Sequence, residues 1–149
     1  MNLKQQLSET LKKAMKENDA DTKRVVRLIM AAIKNSEIDN NAELSEQEII
    51  SILQKEIKVR QESIEGAQKN QRQDLIKQYE QEMAFINQFL PKQLTETELR
   101  NIIIETMAEI NATGISDMGK VMKELIPRIA GRAPGNVVSQ LVKEILSNK

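Results

Sequence analysis

The chain has no cysteine, no histidine and no tryptophan, and its 149 residues carry no net charge. Without cysteine there are no disulfides, thiolate metal sites or cysteine nucleophiles. Without histidine there is no imidazole for a catalytic triad, no His metal ligand and no usual neutral-pH general base. Aromatic residues make up 2 %, namely Tyr79, Phe85 and Phe89. The core is therefore expected to be aliphatic. With those three rings expected in it, little is left to stack on unpaired bases. The balance of 22 basic against 22 acidic groups argues against a generally basic nucleic-acid binder. No apolar run approaches the ~18 residues of a membrane span. The opening "MNLKQQLSETLKK" has no apolar signal-peptide core. A reducing cytoplasm is the expected location, with no membrane partner, no cofactor and no metal.

What is present is helical periodicity almost throughout. Leu3, Leu7, Leu11 and Met15 space out one face of a first helix, and Val25, Val26, Ile29 and Ile33 a second from about Thr22. The polar "NSEIDNNAE" reads as a loop. Ser45 with Glu48 predicts a capping box, followed by Ile49, Leu53, Ile57 and Ile64 on a third helix of roughly five turns. Gly66–Gln71 predicts a break. Leu75, Tyr79, Met83, Ile86 and Leu90 then face inward on a fourth helix, with Phe85 and Phe89 widening its apolar face.

Pro91 ends that helix, because proline lacks the N–H and disfavours helix in the residue before it. "LPKQLTETEL" is the expected boundary between an N-terminal helical subdomain, 1–91, and a C-terminal three-helix subdomain, 92–149. A second capping box, Thr95 with Glu98, opens a fifth helix carrying Leu99, Ile103, Met107 and Ile110. Gly114 is its expected C-terminal cap. Ser116 caps a sixth helix with Met118, Val121, Met122, Leu125 and Ile129 inward, and Gly131 ends it in a left-handed conformation. Pro134 suits the first turn of a seventh, with Val137, Val138, Leu141, Val142 and Ile145 inward. The fold class is all-α.

Glycine and proline are scarce yet concentrated: four of five glycines and two of three prolines lie between Gly114 and Gly135. Tight turns between short helices account for most of them. Gly119 is the exception. Inside a helix it costs roughly 0.5–1 kcal/mol against alanine, so either a neighbouring helix or a ligand is expected to approach it closely.

Paired carboxylates such as Glu80 with Glu82, or Glu105 with Glu109, read as solvated helix faces rather than acid–base pairs. The glycine spacing fits no phosphate loop. The basic groups are more informative. Residues 111–149 hold six of them and three acids. Arg132, with Lys123 and Asn136, is placed to grip an RNA backbone phosphate where the seventh helix begins, and Lys120 and Arg128, candidates for the same backbone, lie on the helix before it. Turn formation alone, and surface pairing of Lys120, Glu124 and Arg128, are the bland accounts of the same residues. A secondary basic stripe, Lys23, Arg27 and Lys34, falls within about 40° on the second helix at 100° per residue.

The segments "AMKENDADTKRVVRLIMAAIKN" (14–35), "EIKVRQESI" (56–64), "RQDLIKQYEQEMAFINQFLPKQLTETEL" (72–99) and "DMGKVMKELIPRIAGRAPGNVVSQLVKEIL" (117–146) make the chain resemble the YqeY-like branch of the GatB/YqeY family. Gln71 stands where that family usually has glycine, and Pro134 where an acidic residue is common. The resemblance implies a four-helix subdomain followed by a three-helix one. It also implies kinship with the C-terminal tail of the GatB component of the glutamyl/aspartyl-tRNA amidotransferase, which contacts tRNA while catalysis lies on other domains. Three readings follow. One is a tRNA-binding helical module, free-standing or docked on a translation enzyme. Another is a protein-interaction adaptor. The third is a glutamine-dependent carbon–nitrogen ligase, the label such families carry, for which no glutaminase nucleophile or ATP site is legible.

Overall fold

A computed structural model describes residues 1–148, and every regular element among them is helical. Seven α-helices follow in order: α1 Leu3–Lys16, α2 Ala20–Asn40, α3 Glu46–Lys69, α4 Gln73–Asn87, α5 Glu96–Glu109, α6 Met118–Ile129 and α7 Gly135–Ser147. A 3-10 turn, Ile115–Asp117, leads into α6. The all-α expectation is met. The backbone forms two compact units, Met1–Leu90 and a second beginning at Pro91.

In the first unit α1 packs on α2 and α3 on α4, around Leu3, Leu7, Val25, Val26, Ile29, Ile33, Ile49, Ile50, Leu53 and Ile86. The Ser45–Glu48 capping box forms as expected: Ser45 Oγ accepts from Glu48 N–H, and Glu48 Oε2 accepts from Ser45 N–H at 2.7 Å. Asn2 and Gln5 make an equivalent box on α1. Asp19 caps α2 by accepting from the backbone and hydroxyl of Thr22. Across the helices, Glu46 accepts from Leu3 N–H, and Lys4 pairs with Glu37 at 3.0 Å.

Several boundaries and faces differ from the sequence reading. Met15 is 52 % exposed, and Ala14 takes the inward place. Residues four apart advance by 40°, so three such steps carry Met15 about 120° from Leu3, while Ala14 returns to within about 20°. The "NSEIDN" segment is helical, because α2 runs on to Asn40 and stops where Asn41 turns left-handed at φ 51°. α3 likewise runs through Gly66 to Lys69, and Gln71 takes φ 56°. On α4 the buried positions are Ile76, Glu82 and Ile86. Leu75, Tyr79, Met83, Phe85, Phe89 and Leu90 are half-buried rather than fully inward. Phe85 and Phe89 meet edge to face, with ring centres 5.3 Å apart.

The second unit closes around Leu99, Ile103, Met107, Val121, Leu125, Ile129, Val138, Leu141, Val142 and Leu146. Val137 is 39 % exposed. Thr95 caps α5 by accepting from Glu98 N–H, but the Glu98 carboxylate takes the Thr95 hydroxyl, so only half of the box exists. The left-handed residue after α5 is Asn111, at φ 56°; Gly114 is extended. Ser116 does not cap α6 but lies within the 3-10 turn, and the Asp117 carboxylate accepts from Thr113 N–H at 2.9 Å. Ala130 and Gly131 both turn left-handed after α6, at φ 48° and 77°, as glycine at 131 permits. Pro134 immediately precedes α7 rather than starting it.

Candidate nucleic-acid interface

α6 turns Val121, Leu125 and Ile129 inward. At 100° per residue, Gly119, Lys120, Lys123 and Pro127 share the outward ridge. Lys120 and Lys123 are exposed there and make no ion pair among the described residues. A Cβ added to Gly119 would meet no heavy atom within 4 Å. No neighbouring helix presses on that glycine, so close helix packing is not its explanation. It stands in the first turn of α6, not deep inside a helix.

The other tail candidates are engaged within the unit. The Arg128 guanidinium reaches α5, donating to Thr106 Oγ1 at 3.1 Å and pairing with Glu109, with Glu124 beside it at 3.9 Å. The hydrogen bond to Glu109 holds the Arg128 proton more firmly than in water. Arg132 folds back on the end of α6. Its Nε donates to Ile129 O at 3.0 Å and its Nη2 to Arg128 O at 2.7 Å. Ile129 O also accepts from the Arg132 backbone N–H at 3.0 Å, and with its side chain on both carbonyls Arg132 is a C-terminal cap. Beside it, Arg132 O accepts from Leu94 N–H at 2.7 Å, and Gln93 Nε2 bridges Gly131 O and Pro91 O. "LPKQL" and "GRAPG" are thus stitched to each other. Asn136 is exposed in the first turn of α7, where its carbonyl accepts from Ser139. Of the five tail candidates, two lysines and Asn136 present free side chains.

On α2, Arg27 and Lys34 are exposed and have no acidic partner among the described residues, whereas Lys23 is half-buried and its charge helps to hold the Asp19 carboxyl below its usual range.

The most organised charges escape a reading of the sequence. Glu82 is buried, not on a solvated face as Glu80 is. Its carboxylate accepts from Arg24 Nη2 at 2.7 Å, Arg60 Nε at 2.8 Å and Gln78 Nε2 at 3.0 Å. Arg60, also buried, donates its Nη1 to the Glu56 carboxylate at 2.7 Å and to the Glu56 carbonyl. Burial alone would raise the Glu82 pKa, but the hydrogen bonds from Arg24, Gln78 and Arg60 outweigh it and hold the carboxyl below its usual range. A signal existed. Arg60 interrupts the apolar line Leu53, Ile57, Ile64, and Glu82 the line Leu75, Tyr79, Ile86. Opposite charges within the apolar stripes of consecutive helices point to a buried pair. Among the described residues no group of three or more acids could hold a metal ion.

Compared with known proteins, the chain is 38 % identical over 85 residues to the protein named "Altered inheritance of mitochondria protein 41, mitochondrial" of Eremothecium gossypii, covering 56 % of this chain and 46 % of that protein. The Lachancea thermotolerans protein of the same name matches with the same identity and coverage. That of Clavispora lusitaniae is 29 % identical over 144 residues, covering 91 % of this chain and 84 % of that protein. The chain thus spans about half the length of the first two relatives. Those names place the relatives in mitochondria, while no helix among the described residues is long and apolar enough to cross a membrane. The model of the family described as "Yqey-like protein" matches residues 4–146, taking in all seven helices almost completely, and the chain belongs to that family.

Proposed function

We propose that the chain is a non-catalytic helical module that binds tRNA through its phosphate backbone, free-standing or docked on a translation-related enzyme. The observation that carries this reading is the outward ridge of α6. Lys120 and Lys123 stand there exposed and without an ion pair among the described residues, beside a glycine that leaves the surface without a side chain. The kinship with the tRNA-contacting tail of an amidotransferase supports it. Backbone contacts suit a protein whose three aromatic residues are half-buried and poorly placed to stack on bases. Arg128 and Arg132 position α5 and α6 rather than bind. The cytoplasm is the proposed compartment, on the cysteine-free composition, and cell fractionation checks it.

The test is tRNA binding by the whole chain as a function of salt. Affinity is expected to fall linearly on logarithmic axes, and Lys120→Ala with Lys123→Ala to flatten the slope by about 0.7–0.9 per lost contact. The loss should be similar for different tRNAs, because phosphate contacts carry no sequence information. Gly119→Leu meets open space and should keep the fold while weakening RNA binding. No salt-sensitive affinity for any tRNA at low ionic strength would overturn the reading, as would glutamine- or ATP-dependent turnover abolished by a substitution in this chain.

A further inference from the structure

α2 buries one side only. Opposite Val25, Val26, Ile29 and Ile33 runs a second line, Leu28, Ala31, Asn35 and Ile38, at steps of three, four and three. All four are exposed, Leu28 to 49 % and Ile38 to 65 %. Such steps are the repeat along which two helices pack side by side. In that register Leu28 and Asn35 occupy a, Ala31 and Ile38 d, Arg27 and Lys34 g, and Asp39 e. The seam ends toward the N-terminus at Arg24, which is tied down to Glu82.

This face is complementary to itself. Laid parallel against a copy in register, Leu28 meets Leu28 and Ile38 meets Ile38. Asn35 meets Asn35, the polar a-position pair that fixes register and two-stranded pairing. Each g residue faces the e residue five positions on in the other chain, so Lys34 faces Asp39, twice by symmetry. Lys34 has no acidic partner in its own chain among the described residues. Antiparallel pairing would instead set Arg27 and Lys34 against one another. We infer that the outward face of α2 pairs, parallel and in register, with the same face of a second copy of the chain. Residues 27 to 39 span about 18 Å at 1.5 Å per residue. That is short for a permanent dimer, so the pairing is reversible.

This goes beyond the RNA reading and rests on a different helix. Sedimentation equilibrium of the full chain up to about 1 mM should show a monomer–dimer equilibrium. Ile38→Asp should weaken it at least tenfold. Lys34→Glu, which sets Glu against Asp39, should weaken it, and Lys34→Glu with Asp39→Lys in the same chain should restore it. The natural chain has no cysteine, so Leu28→Cys should form one disulfide-linked dimer under mild oxidation. All these positions are exposed, and unchanged thermal melts would exclude misfolding. A chain monomeric throughout overturns the proposal. So does failure of the charge swap to restore association, or loss of RNA binding by Ile38→Asp with no change in mass. Lys120→Ala with Lys123→Ala should leave the sedimentation profile unchanged, which separates this inference from the RNA reading.

Discussion

Replacing Glu82 tests whether the buried charges hold α2, α3 and α4 together. Its carboxylate is the common acceptor of Arg24, Arg60 and Gln78. Glu82→Ala deletes all three bonds and leaves the Arg60 guanidinium, 7 % exposed, with Glu56 as its one acidic partner among the described residues. Removing one member of a buried pair costs about 3–5 kcal/mol, mostly through the uncompensated charge left behind. Arg24 is 43 % exposed and can return to water, which argues for the lower end, about 3 kcal/mol. A unit of this size shifts its Tm by about 4–8 °C per kcal/mol, so a fall of more than 10 °C is expected. Glu82→Gln keeps one oxygen acceptor and should cost less. Replacing Glu82 and Arg60 together by Met should cost far less than the sum of the single changes, because a buried pair barely repays its own desolvation.

The pH dependence gives a second readout. The folded Glu82 pKa lies below its unfolded value. Its contribution is therefore present in full above the unfolded carboxylate range and is lost as pH falls through the folded pKa. Urea titrations of wild type and Glu82→Gln at neutral pH, and again below pH about 4, should show the gap between them closing in acid. A cost under about 1 kcal/mol for Glu82→Ala at neutral pH, or a gap that stays constant into acid, would refute the reasoning.

Two further substitutions probe backbone and caps. Gln71→Gly should stabilise the chain by about 0.5–1 kcal/mol in urea unfolding, since a side chain at φ 56° costs roughly 1–2 kcal/mol and the extra freedom of unfolded glycine returns part of it. Arg132→Ala should destabilise by about 1 kcal/mol through loss of the α6 cap, with amide exchange quickening at Leu94 and in the last turn of α6. It should leave the salt slope of any RNA binding unchanged.

The elements are legible where one local rule decides them. Ser45 three residues before Glu48 is sufficient to start α3, whereas α4 stops at Asn87, before the Leu90 that Pro91 restricts. Their ends are not. Asn and Asp in "NSEIDN" cost only a few tenths of a kcal/mol each in a helix, and Glu37 within it is anchored from outside the stretch, its carboxylate accepting from Lys4 and from Leu44 N–H. No local window contains Lys4. In the sequence Gln71 stands out only as a departure from glycine; its left-handed backbone supplies the physical reason for that glycine. The candidate site is legible as composition but not as geometry. Lys120, Lys123, Arg128 and Arg132 look alike in one dimension. What sorts them is where α5 lies and where α6 ends.

Gly131 and Pro134, two of the glycines and prolines gathered near one end, follow from that ending. α6 and α7 are separated by five residues, 130–134, and reversing the chain so quickly takes two consecutive left-handed residues, Ala130 and Gly131. The reversal exposes the last carbonyls of α6, and the Arg132 side chain folds back to satisfy two of them. The same turn offers Gly131 O and Arg132 O outward, and the Gln93–Leu94 segment takes both. "LPKQL" and "GRAPG" therefore require each other for mechanical reasons, and their joint appearance in a sequence reports how the second unit is closed at its entry. Charge within that turn is consequently weak evidence for a ligand. Lys120 and Lys123 stand outside this machinery: no turn needs them, no helix covers them, and neither makes an ion pair among the described residues, although the Lys120 charge is felt by Asp117. A functional reading of the tail has to rest on such surplus charge.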